Sequence, residues 1–279
     1  MYEPKYCPEM KDLSPSISDI RFGIKPCNKF LKHDDPDAEP LHAHRYLEIF
    51  YNVSSDVSFL VNNNLYPVIE GSAILSRADD IHMAIFNKTG VHEYICLWID
   101  VCLDSPAFSF LKKEDFCPLF AFDVETSRAM RSLLFSLARL DGEGGGELER
   151  AATVLQILTL FAKSEAQTSG KPYIPDALQH ILDDIHENYS TIRNVNDILN
   201  THFISSATLT RWFRKYIHST PREYLESVRL SHAATMLAQG ASVTDACMGT
   251  GFSDCSHFIV LFKRKFGETP YQYKKRNTK

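Results

Sequence analysis

Four residues in the first third of the chain, His42, His44, Glu48 and His82, have side chains that bind metal ions, grip polar ligands or move protons. The first three form the pattern HxHxxxE. On a β-strand alternate side chains share a face, so residues 42, 44 and 48 project together. Imidazole nitrogens with a carboxylate make a donor set for zinc, iron, nickel or manganese. The same groups hydrogen-bond the hydroxyls of a small molecule, and they also occur as plain structural polar residues. Farther on, His92, Tyr94 and Trp98 alternate on one strand face, and aromatic surface rimmed by polar groups suits a sugar ring or a related polar metabolite. The sequence has no GxSxG, no HExxH and no phosphate-binding glycine loop. DGEGGG (Asp141–Gly146) follows a helical pattern rather than a strand, which makes it a turn. These residues point to binding rather than catalysis.

A second set lies near the C-terminus and repeats itself. Phe213 matches Phe262, Arg214-Lys215 matches Lys263-Arg264, Thr220-Pro221 matches Thr269-Pro270, Tyr224 matches Tyr273 and Phe203 matches Phe252, all offset by 49 residues. A constant offset over so many positions marks a duplicated unit. Each copy reads as helix, turn, helix. The first has a helix Val195–Thr201, a turn at His202–Ile204 and Ser205 as N-cap of a helix to about Ile217. The second has a helix Val243–Thr250, a turn Gly251-Phe252-Ser253 and Asp254 capping a helix to about Phe266. Between them Thr220-Pro221-Arg222-Glu223 is a capping box with proline at the first helical position. It opens a helix of about 19 residues, roughly 28 Å long, which holds the two units close to one DNA turn apart.

The elements that must position these residues fall into two groups. From about Phe22 to Leu103 short runs such as LEIFYNV, VSFLV, AILS and HEYICLWIDV alternate with turn clusters such as SSD, NNN and EGS, the mark of a β-barrel or sandwich. Two amphipathic helices follow, Glu125–Leu140 and Glu147–Ala166. The second carries Leu148, Ala151, Leu155, Leu158 and Ala162 on one stripe, read as a homodimer seam. Residues 167–175 have linker composition. The expected division is therefore a sensing and dimerisation domain over 1–166, a linker over 167–175 that keeps the two cores apart, and a helical DNA-binding domain over 176–279.

Charge follows the same division. Residues 205–279 carry 12 Lys+Arg against 5 Asp+Glu, a balance of +7, which leaves −12 on the rest of a chain whose net charge is −5. Such a split accompanies a nucleic-acid-binding half joined to a non-binding one. With 44% hydrophobic and 23% charged residues the composition is that of a folded globular protein. No apolar run reaches membrane-spanning length, and the N-terminus has no apolar signal segment. Seven cysteines without finger spacing fit a reducing compartment, the cytoplasm.

From about Asp176 to Arg276 the segments LTRWFRKY, TPREYLESVRLSHAATML and GFSDCSHFIVLFKRKFGETPYQYKKR resemble the tandem helix-turn-helix domain of the AraC/XylS family of bacterial transcription regulators. HAHRYLE, the turn Glu70-Gly71 and His82 make the N-terminal half similar to that family's cupin-type sensor barrel. The resemblance implies a two-domain α+β protein: a cupin-like barrel with a helical dimerisation pair, then an all-α domain. It implies double-stranded DNA, a small-molecule effector and, for an activator, RNA polymerase as partners. The first recognition helix is expected to present Ser206, Ala207, Thr210, Arg211 and Arg214, with Arg211 reading guanine O6 and N7 or gripping phosphate. The second departs from the family: Ile259 and Val260 stand where a polar residue and arginine are usual. That leaves Cys255, Ser256 and His257 for bases and Lys263, Arg264 and Lys265 for the DNA backbone. Lys274, Lys275 and Arg276 are further phosphate candidates. His218 stands where the second unit has Gly267, so the first helix is expected to need another cap. His42, His44, Glu48, His82, Tyr94 and Trp98 are the expected effector pocket, with no cofactor, or in the alternative a divalent metal on the first four. The rival reading is a cupin metalloprotein or enzyme with a helical interaction module.

Overall fold

The computed structural model describes residues 14–17, 20–31, 41–44, 46–78, 80–100, 106–113, 116–142, 144, 146–164 and 174–277. Most of the 167–175 linker lies outside these residues.

Two antiparallel sheets form the N-terminal half. The larger has the order β1 (Ser14–Ile17), β2 (Ile20–Leu31), β8 (Gly90–Asp100), β3 (Leu47–Ser54), β6 (Ser72–Ser76) and β9 (Leu119–Ala121). The smaller pairs β5 (Asn64–Val68) with β4 (Val57–Val61) and β4 with β7 (His82–Phe86). An isolated bridge, His42 N–H to His82 O at 3.0 Å and His82 N–H to His42 O at 2.7 Å, adds His42 beside β7.

The strands read as continuous apolar runs because both of their faces are covered. On β3, Leu47, Ile49, Tyr51 and Val53 pack against α1 (Val124–Gly142) and α2 (Glu147–Lys163), whereas Phe50 points between the sheets. Tyr94, Cys96 and Trp98 of β8 share that interior with Val57, Phe59 and Val61 of β4 and Ala84 and Phe86 of β7. Leu60, Met83 and Ile85 face the other way.

Those outward residues correct the expected separation of the halves. Leu41, Ala43, Leu60, Leu65, Ile81, Met83 and Ile85 share one core with Leu178, Ile181, Leu182 and Ile185 of α3 (Asp176–Asn188) and with Leu209, Phe213 and Tyr224 beyond it. The Tyr224 hydroxyl donates to Asn62 O at 3.2 Å, and Gln179 Nε2 donates to Asn63 O at 2.7 Å. A covered sheet face cannot be read as such from its own sequence, because the covering helix is about a hundred residues away or more.

The helical half follows the sequence reading closely. It comprises α4 (Val195–Thr201), α5 (Ser206–Trp212), α6 (Pro221–Ala238), α7 (Val243–Gly249), α8 (Cys255–Phe266) and α9 (Pro270–Asn277). Ser205, Thr220 and Asp254 cap their helices as expected, Thr220 in a capping box with Glu223. The first recognition helix widens into a π-turn over Phe213–Ile217. It ends on His218 at φ 53°, ψ 31°, so the histidine itself takes the left-handed position of Gly267.

One repeat pairing needs correction. The left-handed turn residues are Phe203 (φ 51°) and Gly251 (φ 85°), 48 residues apart. Ile204, not Phe203, therefore corresponds to the buried Phe252. Phe203 itself is 96% exposed. The second turn is one residue longer, and Ser253 absorbs the difference before the caps come back into register.

Candidate sensor site and nucleic-acid interface

The interior of the N-terminal half holds the expected polar cluster. His42, His44, Glu48 and His82 are all buried, and one donor atom from each lies within 4.8 Å of the others. Glu48 is the hub: its Oε2 is 2.6 Å from His44 Nε2 and 3.3 Å from His82 Nε2, and it accepts from Trp98 Nε1 at 2.8 Å. Trp98 arrives there because it lies directly opposite Glu48 in the β3–β8 register.

The other imidazole nitrogens are fixed by backbone. His44 Nδ1 lies 3.1 Å from Tyr46 O and His82 Nδ1 lies 2.8 Å from Asp80 O. A carbonyl only accepts, so both Nδ1 atoms carry protons and both Nε2 atoms are turned on Glu48. Burial by itself would push the Glu48 carboxyl up, yet the charge of His82 and hydrogen bonds from both histidines hold it well below the usual carboxylate range. For His82 burial works downward, but the Glu48 carboxylate prevails and raises it.

Tyr94 is not brought to this cluster. Its ring stacks on Phe50 at 5.0 Å and meets Phe86 at 5.4 Å, while Phe59 stacks on His82 at 5.9 Å. Phenylalanine rings thus fill the space between Tyr94 and the imidazoles, since four residues along a strand is about 13 Å. His92 is farther still, against Phe86 at 4.7 Å. Asp80 and Asn62 escaped sequence reading. Asn62 Nδ2 donates to Asp80 Oδ1 at 3.0 Å, and the Asn62 side-chain oxygen accepts from Ile81 N–H at 2.9 Å. The signal available was Asn62 itself, a turn asparagine at φ 55°.

On the helical half, Ser206, Ala207, Arg211 and Arg214 are exposed on the first recognition helix and Thr210 is half-buried. On α8, Ser256, His257, Val260, Lys263 and Arg264 are exposed, Val260 by 65%. Two residues assigned to DNA are placed elsewhere. The Cys255 thiol turns inward to Cys247 Sγ at 2.8 Å, because the first residue of α8 packs on α7. Lys265 folds back on α6, its Nζ donating to Ser227 O at 3.0 Å and Ser231 Oγ at 3.3 Å, and burial pushes its pKa down to about 7. In the last helix Lys274 donates to Gly240 O at 2.9 Å and Arg276 pairs with Glu268 at 2.5 Å, so of the three basic residues Lys275 points outward without such a tie among the described contacts.

The expected stripe on α2 also divides. Ala151 and Leu158 enter the core with Val154, Ile157 and Phe161, whereas Leu148, Leu155 and Ala162 stay outside, Leu148 by 73% and Leu155 by 47%.

Known proteins agree with the helical half and its neighbour. Residues 200–276 match a family of helix-turn-helix domains. The transcriptional activator RhaR of Mannheimia succiniciproducens is 25% identical, covering 85% of this chain and 87% of its own. The activator RhaS of Pectobacterium atrosepticum is 26% identical, covering 84% and 86%. An AraC-type DNA-binding-domain regulator of Chromobacterium violaceum, solved as a structure, is 24% identical over 37% of this chain and 92% of that one, with a TM-score of 0.35. Residues 200–276 thus carry a helix-turn-helix domain, built as two consecutive units behind a β-rich domain, and the chain is similar along most of its length to helix-turn-helix transcriptional activators.

Proposed function

We propose that this protein is a one-component activator in the cytoplasm that binds double-stranded DNA and answers to a small polar molecule held between its two sheets. The observation that carries the sensing role is the convergence of Glu48, three imidazoles and the Trp98 N–H in one enclosed site, a concentration of polar groups that a purely structural core does not need. A sugar or related polyhydroxyl fits: carboxylate and Nε2 atoms bind hydroxyls, and Trp98 supplies a ring face. The relatives' role as transcriptional activators supports recruitment of RNA polymerase and a role other than catalysis. The test is thermal stability of the purified chain against a panel of neutral and acidic sugars. At least one should raise the midpoint in wild type and not in Glu48→Gln. A panel without effect on wild type removes the sugar reading.

One observation favours a metal as second reading. The backbone carbonyls of Tyr46 and Asp80 hold His44 and His82 in the tautomer that aims Nε2 inward, the orientation metal-bound histidines adopt. His42, His44, Glu48 and His82 would then hold a divalent ion that orients an effector's oxygens. Stoichiometric metal in purified wild type, lost in His82→Ala, decides for it.

DNA contact is assigned to Ser206, Ala207, Thr210, Arg211 and Arg214 of the first unit, and to Ser256, His257, Lys263 and Arg264 of the second. A homodimer is assigned to the outer face of α2. There Leu148, Ala152, Leu155, Thr159 and Ala162 are exposed at alternating steps of four and three, the spacing of a two-helix seam. Leu155→Glu should turn a dimer into a monomer in sedimentation of the full chain. An unchanged dimer would move the seam elsewhere.

A further inference from the structure

The second helix-turn-helix unit contains a feature that neither sensing nor base reading uses. Cys247 sits in the middle of α7, fully buried, and Cys255 is the first residue of the recognition helix α8, half-buried. Their sulfurs lie 2.8 Å apart, Cys255 Sγ toward Cys247 Sγ. A disulfide needs about 2.05 Å, so the bond can close with a sulfur movement of under about 1 Å. The two helices already pack on one another through Ala246, Phe258 and Phe262, which keeps the two sulfurs side by side.

We propose that Cys247 and Cys255 are a redox modification site, forming a reversible disulfide that staples α7 to α8 and keeps the recognition helix competent for DNA when the cell meets peroxide. Cys255 is the attacking sulfur, being the more exposed and lying at a helix N-terminus. Its thiolate takes one peroxide oxygen to give a sulfenic acid and hydroxide. The Cys247 sulfur then displaces hydroxide from that sulfenic acid: the S–S bond forms, the S–O bond on Cys255 breaks, and the Cys247 proton leaves with the hydroxide as water. In sum two thiols lose two electrons and two protons, the O–O bond is cleaved, and two waters leave. Cys247 is the resolving partner: burial pushes its thiol up to about 12, which keeps it protonated and inert until the sulfenic acid appears beside it. A thiol pool reverses the step, as expected of a transient disulfide in a reducing compartment.

The staple matters because of what Cys255 becomes without it. An unbridged sulfenic acid proceeds to a sulfinate, a fixed negative charge in the half-buried first turn of α8, directly before Ser256 and His257, which the proposed function on which this inference rests sets against DNA phosphates. The experiment treats the full-length protein with hydrogen peroxide, then measures thiol content by alkylation and mass spectrometry and binding to a short random-sequence duplex. Wild type should yield a Cys247–Cys255 crosslinked peptide that dithiothreitol removes, with DNA affinity within about twofold of the reduced protein. Cys247→Ala should instead accumulate sulfinate at Cys255 and lose about threefold or more in affinity, without recovery in dithiothreitol. Cys255→Ser, which leaves the inert thiol alone, should neither crosslink nor change its binding. Failure of wild type to crosslink overturns the proposal. So does equal, reversible behaviour of wild type and Cys247→Ala.

Discussion

The two helix-turn-helix units are copies of one plan held up in different ways. The second satisfies both of its left-handed turn positions with glycine, Gly251 and Gly267, and packs on its own core of α6, α7 and α8 side chains. The first has Phe203 and His218 at those positions, each costing about 1–2 kcal/mol of backbone strain for a residue with a β-carbon. Its core, though, is continuous with the outer face of the sensor sheet. The unit with the poorer turns is the one buttressed by the sensor. It also carries Arg211, the side chain best suited to reading a base. The better-formed unit has Val260 there and keeps Lys263 and Arg264 outward. The proposed function therefore assigns discrimination and response to effector to the first unit, and sequence-independent grip to the second.

The largest effect expected from breaking this comparison is at Gly251. A β-carbon there would lie 2.5 Å from Ser190 O and 3.0 Å from the buried guanidinium of Arg229, at φ 85°. Arg229 Nε donates to Tyr189 O at 2.8 Å and the side chain crosses the Phe252 ring, so this contact joins the two units. Gly251→Ala should cost about 3 kcal/mol or more in denaturant unfolding. A loss below about 1 kcal/mol would show the joint to be loose.

The next effect separates reading from grip. Arg211→Ala should weaken binding to the specific site by about 1–3 kcal/mol and relax preference at one base pair, while Val260→Ala changes little. Replacing Lys263 and Arg264 by Gln should weaken all sequences alike and lower the salt slope by about 2, whereas Lys265→Met leaves the slope unaltered because its ammonium is tied to α6. Equal salt slopes for the two sets, taken from binding isotherms across a salt series, would erase the distinction between the units.

A smaller change should sharpen it. Phe203→Gly places the residue the second unit uses into the strained turn of the first, and should stabilise the chain by about 1 kcal/mol in thermal or denaturant unfolding. A loss of stability would mean that the exposed ring has a contact of its own.

The last test is of pH. His232 on α6 stacks on Tyr189 at 4.0 Å, and burial, aided by nearby His186, pushes its pKa down to about 4. In the unfolded chain it titrates near 6.5, so the folded state stays neutral while the unfolded one charges. Stability is full above about 6.5 and is lost as pH falls toward 4. His232→Phe should flatten this part of the stability profile, and an unchanged slope would assign the loss to other groups.

Much of this was written locally in the chain. Caps at Ser205, Thr220 and Asp254, the proline at the start of α6 and the apolar spacing of each helix depend on neighbours within four residues, so α4 to α8 were legible. His42, His44, Glu48 and His82 do converge, but strand alternation is not what brings them together: only Glu48 lies on β3, His42 enters through an isolated bridge to His82 on β7 of the other sheet, and His44 sits on irregular backbone between them. Tyr94 misled: alternation gives the face and not the distance along it, and only the packed rings of Phe50 and Phe59 show how far it lies from Glu48. The inward turn of Cys255 and Lys265 and the pairing of Phe203 with Gly251 were invisible for a related reason. A helix has a period but no fixed origin until its neighbours choose the buried side. The same limit hid the shared core. Leu60, Met83 and Ile85 look like any strand residues, and their burial under α3 is set by where a segment about a hundred residues away comes to rest.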